Sequence, residues 1–120
     1  MITGTHAIVY AEDAERARAF FADVLGFPSV DAGGGWLIFR LPPAELGVHP
    51  TGEPGASGTH ELYLMCDDID ATVEELAAKG VEFLTPVTDA GFGRLITLAI
   101  PGGGRLGLYQ PRHPVAYDLV

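Results

Sequence analysis

The stretch HAIVYAED at residues 6–13 has a second copy, ELYLMCDD at residues 61–68, and this internal repeat decides the fold. Each copy leads into a segment whose apolar residues have helical spacing, and a glycine ends that segment, Gly26 in the first copy and Gly80 in the second. A glycine-rich stretch, an apolar strand, a turn with proline and a further short strand follow each time. A repeat of roughly 55 residues is too long for a common solenoid, so it indicates two copies of one supersecondary unit that share a core.

Both copies predict the same order of elements, β-α-β-β-β. In the first copy, strands are predicted at 5–10, 36–41 and 46–49, and Asp13 caps the helix. In the second copy, Asp68 or Asp70 caps the helix, and strands are predicted at 61–66, 81–84, 95–100 and 105–109. The fold class is therefore α+β, with two tandem βαβββ modules that form a curved mixed sheet around a cleft. The chain 1–120 is expected to be a single domain with module one at about 1–50, a linker at about 51–59, module two at about 60–112 and an irregular tail at 113–120.

Composition limits the classes of function. Hydrophobic residues make up 48% of the 120 residues and charged residues 19%, which is typical of one folded domain rather than a disordered chain. A single cysteine forms no intramolecular disulfide, and no apolar run approaches the ~20 residues of a membrane span, so a cytoplasmic protein is expected. The formal net charge of −9 argues against nucleic acid or an anionic membrane as a partner. These acidic groups either solubilise the surface or, if they line the cleft, favour a cationic ligand.

Strand parity separates the core from a candidate pocket, because successive strand residues point to opposite faces. Leu62 and Leu64 share a face with the helix, and Tyr63 and Met65 take the other face. That second face collects aromatic groups, which can stack on a planar molecule, and glycines, which leave space for it. For Trp36 and Phe92, a place in the core or in a dimer contact is the alternative. The candidate ligand-binding residues are Ile8, Tyr10, Trp36, Gly47, His49, Tyr63, Met65, Phe92, Gly107 and Tyr109.

Three further motifs occur in order along the chain: FFADVLGF at 20–27, DDID at 67–70 and PGGGRLGLYQP at 101–111. Together with the paired modules and a histidine in the first strand, they resemble the vicinal oxygen chelate superfamily. This group contains glyoxalase I, bleomycin-resistance proteins, fosfomycin-resistance enzymes and extradiol dioxygenases. The resemblance covers almost the whole chain and implies a cleft between the two modules.

The resemblance also implies where a metal would bind, because enzymes of that superfamily hold a divalent ion on four cleft-facing positions. Those positions correspond here to His6, Gly47, Glu61 and Gly107. His6 and Glu61 are suitable ligands for Zn, Ni, Mn or Fe(II), whereas the two glycines offer no side chain. A register change that brings His49 inward would complete a set of two histidines and one carboxylate with His6 and Glu61.

Two functions follow from the resemblance. The first is a small-molecule binding protein that sequesters an aromatic or cationic ligand in a cleft at the interface of a homodimer, or uses the same cleft as a ligand sensor. The alternative is a metal-dependent lyase, isomerase or dioxygenase of the glyoxalase type that uses His6 and Glu61.

Four side-chain types outside the cleft have simpler interpretations. Cys66 is predicted to be a buried, inert thiol. The aspartates of DDID are predicted to cap a helix rather than to hold a metal. Arg94 is expected to pair with surface acids, and His113 is expected to be exposed.

Overall fold

A computed structural model describes residues 6–52, 54–55 and 57–119. Its elements are the helix α1 (Ala14–Ala19), continued by one π-helical turn (Phe20–Val24), the strands β1 (Ser29–Asp31), β2 (Leu37–Phe39) and β3 (Tyr63–Met65), the helix α2 (Ile69–Ala78), and the strands β4 (Thr88–Asp89), β5 (Gly93–Ala99) and β6 (Arg105–Pro111). The protein is thus of mixed α and β class, as predicted. No helix among the described residues is both long and apolar enough to cross a membrane.

The second copy of the repeat forms a four-stranded sheet in the order β3-β6-β5-β4. The strands β3 and β6 are parallel, and the other neighbours are antiparallel. With α2 between β3 and β4, this copy has the predicted β-α-β-β-β order. The strand predicted at 81–84 is reduced to a single bridge between Phe83 and Leu98, and β4 lies further along the chain.

Both helices begin at the predicted aspartates. The carboxylate of Asp13 accepts a hydrogen bond of 3.1 Å from the backbone N–H of Arg16, and Asp68 accepts one of 3.1 Å from Ala71. These bonds satisfy amide groups that have no partner within the first turn of a helix. Gly26 and Gly80, with φ angles of 72° and 86°, follow the helices in the left-handed region that glycine favours.

The core lies between the two helices and the inner face of the four-stranded sheet. Ile69 of α2, Leu98 of β5 and Leu106 of β6 are at most 1% exposed, and Phe20 and Phe21 join them from the π-helical turn. The glycine turn at 101–104 fixes the start of α1, because the Asp13 N–H donates to the Gly102 carbonyl at 2.8 Å. A Cβ on Gly102 would overlap the Asp13 carbonyl oxygen, so this turn needs glycine for close approach as well as for its φ angle of 95°.

Two strands predicted for the first copy are absent, and this corrects the sequence analysis. Residues 6–10 and 46–49 form no strand, and Thr5 lies outside the described residues. The side chains along both segments are exposed, up to 85% at Tyr10 and 87% at Val48. Alternating apolar residues favour an extended chain, but a strand also needs a neighbour for its backbone hydrogen bonds. Among the residues of this copy that the structure describes, only β1 and β2 find such a neighbour, as an antiparallel hairpin.

Candidate functional site

The candidate site lies on the face of the four-stranded sheet that points away from α2, called here the open face. Leu106 and Leu108 of β6 are buried on the core side, and Leu64 of β3 packs against the same core. Their neighbours in sequence, Tyr63, Met65, Gly107 and Tyr109, therefore lie on the open face. The parity predicted from the sequence is confirmed for this sheet.

Three aromatic rings meet on the open face and form the aromatic cluster: Tyr63, Phe92 and Tyr109. Tyr109 is central, with ring centroids 5.7 Å from Tyr63 and 6.1 Å from Phe92, and both contacts are edge-to-face. Such geometry aligns the positive edge of one ring with the negative face of another. Tyr63 and Phe92 are still 39% and 45% exposed, so rings that stabilise one another also offer free surface.

Gly107 sits directly beneath one of these rings. It is opposite Tyr63 in the register of the parallel pair β3 and β6, and a Cβ built on Gly107 would overlap the Tyr63 ring. The space left by the missing side chain is thus filled by Tyr63. Because Gly107 has no side chain, the Tyr63 ring lies directly against the sheet and covers it at this point.

Carboxylates adjoin two rings of the cluster. The Tyr63 hydroxyl donates a hydrogen bond of 3.0 Å to Glu61, and the Tyr109 hydroxyl lies 3.5 Å from Glu45. Burial and the hydrogen bond to Glu61 raise the pKa of Tyr63, and burial and the charge of Glu45 raise the pKa of Tyr109. Both phenols are therefore protonated hydrogen-bond donors at neutral pH. The open face combines protonated aromatic rings with negative charge.

The tail reaches the same face. His113 is only 33% exposed along its side chain, and its Nε2 lies 3.2 Å from the Tyr109 hydroxyl and 3.8 Å from Glu45. The expectation that His113 is exposed is therefore wrong. The backbone N–H of Ala116 also donates to Glu45, at 2.6 Å. Glu45 and His113 come from distant parts of the chain, and no local sequence pattern signals their meeting.

The remaining predicted ligand-binding residues lie in exposed parts of the first copy. Ile8, Tyr10, Gly47 and His49 are all exposed within the segments that form no strand. The Trp36 ring is 65% exposed, and the guanidinium of Arg18 lies 4.9 Å from its centroid. For Trp36, neither a core position nor a contact with the aromatic cluster is observed.

The predicted metal ligands His6 and Glu61 are both exposed. Among the described residues, no three histidine, cysteine, aspartate or glutamate side chains come together closely enough to hold an ion. The donors present here therefore do not form the four-ligand site that the resemblance implies, and His6 and Glu61 as metal ligands stay a prediction.

Other polar side chains near the site have structural roles. Cys66 is half-buried rather than fully buried, and its thiol donates to the Tyr109 carbonyl at 3.6 Å. Burial raises the pKa of this thiol, and its inertness stays a prediction. Arg94 forms a two-armed ion pair with Asp70, at 2.9 and 3.1 Å, as predicted. Beside Cys66, a pocket of about 310 Å³ opens at the edge of the sheet, lined by Met65, Cys66, Asp67, Gln110, Pro111 and Tyr117.

Comparisons with known proteins agree on the fold. The structure of TnmS3, an antibiotic binding protein from Streptomyces sp. CB03234, is 27% identical in sequence with a TM-score of 0.58, and the match covers 89% of this chain and 99% of that one. Lactoylglutathione lyase from Agrobacterium tumefaciens has a TM-score of 0.64 over 90% of this chain and 92% of its own, but at 18% identity it shows the fold alone.

Curated mycobacterial proteins named "Putative glyoxylase CFP32", one of them from Mycobacterium bovis, are 27% identical over 118 residues. The match takes in 90% of this chain but only 45% of each relative, so the chain spans about half the length of these proteins. The family description Glyoxalase/Bleomycin resistance protein/Dioxygenase superfamily matches residues 5–108, most of the sequence. Because that match extends from the first copy of the repeat to β6, the chain belongs to this superfamily.

Proposed function

We propose that this protein binds a small molecule that is planar and positively charged, and that it binds the molecule on the open face. The aromatic cluster carries the proposal. A flat ligand can stack on the exposed parts of Tyr63 and Phe92, which are held in place by Tyr109. Rings that are fixed before binding lose little conformational freedom when the ligand arrives.

The charge around the cluster supports a cationic ligand. Glu61 and Glu45 adjoin the hydroxyl groups of Tyr63 and Tyr109, and the whole chain carries a formal net charge of −9. A cation over an aromatic face is stabilised by about 0.5 to 2 kcal/mol, the larger value applying where water is excluded. The antibiotic-binding role stated for TnmS3, at 27% identity, also favours sequestration of a ligand over its chemical conversion.

The test is a binding titration with a panel of planar aromatic molecules in cationic and neutral forms. Phe92→Ala removes an exposed ring, and we expect a loss of affinity of about fivefold or more, the size of one aromatic contact. Leu84→Ala is the matched control, because Leu84 is 44% exposed against 45% for Phe92, and its affinity should not change. Equal affinity of Phe92→Ala and Leu84→Ala for every ligand that binds would contradict the proposal.

We also propose that the protein acts as a homodimer in which the first copy of the repeat contacts a second chain. Ile8, Tyr10, Leu46 and Val48 expose between 65% and 87% of their surface in two segments with the alternation of a strand. Extended apolar segments without a neighbour are sites where a second chain adds its own backbone.

A further inference from the structure

Three side chains place donor atoms around one point where the tail crosses the open face. They are Glu45 from the segment after β2, Tyr109 from β6 and His113 from the tail. We propose that this triad, distinct from His6 and Glu61, is a binding site for a divalent transition-metal ion with the coordination preferences of Zn²⁺. The triad shares Tyr109 and Glu45 with the surroundings of the aromatic cluster, but the stacking of a planar ligand on Tyr63 and Phe92 does not require the ion.

The separations of the donor atoms fit such an ion. Tyr109 Oη lies 3.2 Å from His113 Nε2 and 3.5 Å from Glu45 Oε1, and the last two atoms are 3.8 Å apart. Zinc bonds to nitrogen and oxygen are about 2.0 to 2.2 Å long, so tetrahedral donors lie about 3.4 Å apart. An ion close to the plane of the three atoms would reach all of them without a change of backbone.

The triad also forms hydrogen bonds with neighbouring backbone groups, as the side chains that bind metal ions commonly do. His113 Nδ1 lies 2.8 Å from the Pro114 carbonyl, which only accepts, so Nδ1 donates this bond and Nε2 is the ring nitrogen that faces Tyr109 and Glu45. A backbone carbonyl on the far ring nitrogen fixes many metal-binding histidines in this way. The second oxygen of Glu45 is held by the Ala116 N–H, so Oε1, which faces the Tyr109 hydroxyl, is the oxygen that an ion would contact.

Burial and charge agree with the proposal. The Glu45 side chain is 14% exposed and that of His113 33%, so the donors are partly shielded from water but open to an ion. Glu45 would supply negative charge to the ion, and the Tyr109 hydroxyl oxygen and His113 Nε2 would supply lone pairs. A water molecule would complete the tetrahedron, as at zinc sites with three protein ligands.

The experiment is a zinc titration of the chelator-treated full chain by calorimetry, with Co²⁺ absorption as a report on coordination. We expect one ion per chain and at least tenfold weaker binding in His113→Gln and in Glu45→Gln, because each variant removes a direct ligand. His60→Gln, at an exposed histidine outside the triad, is the control and should bind zinc like the wild type. Zinc binding that is absent in the wild type, or that is unchanged in both triad variants, overturns the proposal.

A measurement on the wild type covers the case in which the variants do not fold. Nitrogen-15 spectra of the histidine rings should show that zinc shifts Nε2 of His113 and leaves the ring nitrogens of His60 unchanged. The absence of a His113 shift at saturating zinc overturns the proposal. The proposal that planar ligands bind on the open face is contradicted by a different result, namely equal affinity of Phe92→Ala and Leu84→Ala for those ligands.

Discussion

The absence of a side chain at Gly107 determines how the aromatic ring of Tyr63 lies on the four-stranded sheet. The register of the pair β3 and β6 places Gly107 opposite Tyr63, and the ring of Tyr63 occupies the volume of the absent Cβ. The same ring meets Tyr109 edge-to-face and bonds Glu61 through its hydroxyl. Displacement of the ring would disturb both contacts together.

We therefore expect Gly107→Ala to lower the free energy of unfolding by about 1 to 3 kcal/mol, the usual cost of forcing extra volume into a packed place. Urea denaturation of the variant measures this. Gly47→Ala is the control, because its Cβ would make only an ordinary contact of 3.5 Å with His49, and its stability should change by less than about 0.5 kcal/mol. In a protein that already carries Tyr63→Ala, Gly107→Ala should change the free energy of unfolding little, because the ring that the methyl group would displace is gone. An undiminished loss of stability in that double variant would contradict the clash with Tyr63.

At the scale of elements, α2 offers the clearest test of a helix start. The Asp68 carboxylate accepts from Ala71, and the Asp68 carbonyl accepts from the Thr72 hydroxyl at 2.8 Å. Replacing an N-cap aspartate by alanine costs about 0.5 to 2 kcal/mol, so Asp68→Ala should unfold at a correspondingly lower urea concentration. Asp67→Ala removes an exposed neighbouring charge and is the control. Equal loss in both variants would show that charge near the helix, rather than the cap, is responsible.

Local patterns predicted the second copy of the repeat well. Capping by Asp68, the helical spacing up to Gly80 and the alternation of Leu106 with Gly107 are all encoded within a few residues, and the structure confirms each. In the first copy the alternation at 6–10 and 46–49 is equally clear, yet no strand forms there. Alternation fixes which face a side chain takes once a strand exists, but it carries no information about whether a neighbouring strand is available.

The candidate site was predictable only in part, for a related reason. Tyr63, Gly107 and Tyr109 lie in strands whose parity the sequence reveals, so their common face could be inferred. Glu45 and His113 reach Tyr109 from a segment without regular structure and from the tail. Their approach to Tyr109 depends on long-range packing, which the residues next to Glu45 and His113 in the sequence do not predict.

At the scale of the whole molecule, the exposed segments 6–10 and 46–49 predict that two copies of the chain associate. We expect light scattering to give twice the mass of the chain at micromolar concentration, and Val48→Asp to shift the protein toward the monomer by placing a charge at an apolar contact. Val48 is 87% exposed in the single chain, so this change should not harm the fold of the monomer. Leu119→Asp makes the same charge change at a position 77% exposed, outside these segments, and should remain dimeric. A wild-type mass of one chain would contradict the dimer.

The glycine turn at 101–104 has a consequence for how the chain is made. It holds the start of α1 through the bond from Asp13 to Gly102, and Phe20 and Phe21 are buried in a cluster that includes Ile100 and Leu106. A helix as short as α1 has little stability of its own in water. Because synthesis runs from the amino end, residues 14–24 are made well before the turn at 101–104, and α1 cannot dock until that turn has formed. Phe20 and Phe21 are therefore without this cover while the residues between them and the turn are being synthesised.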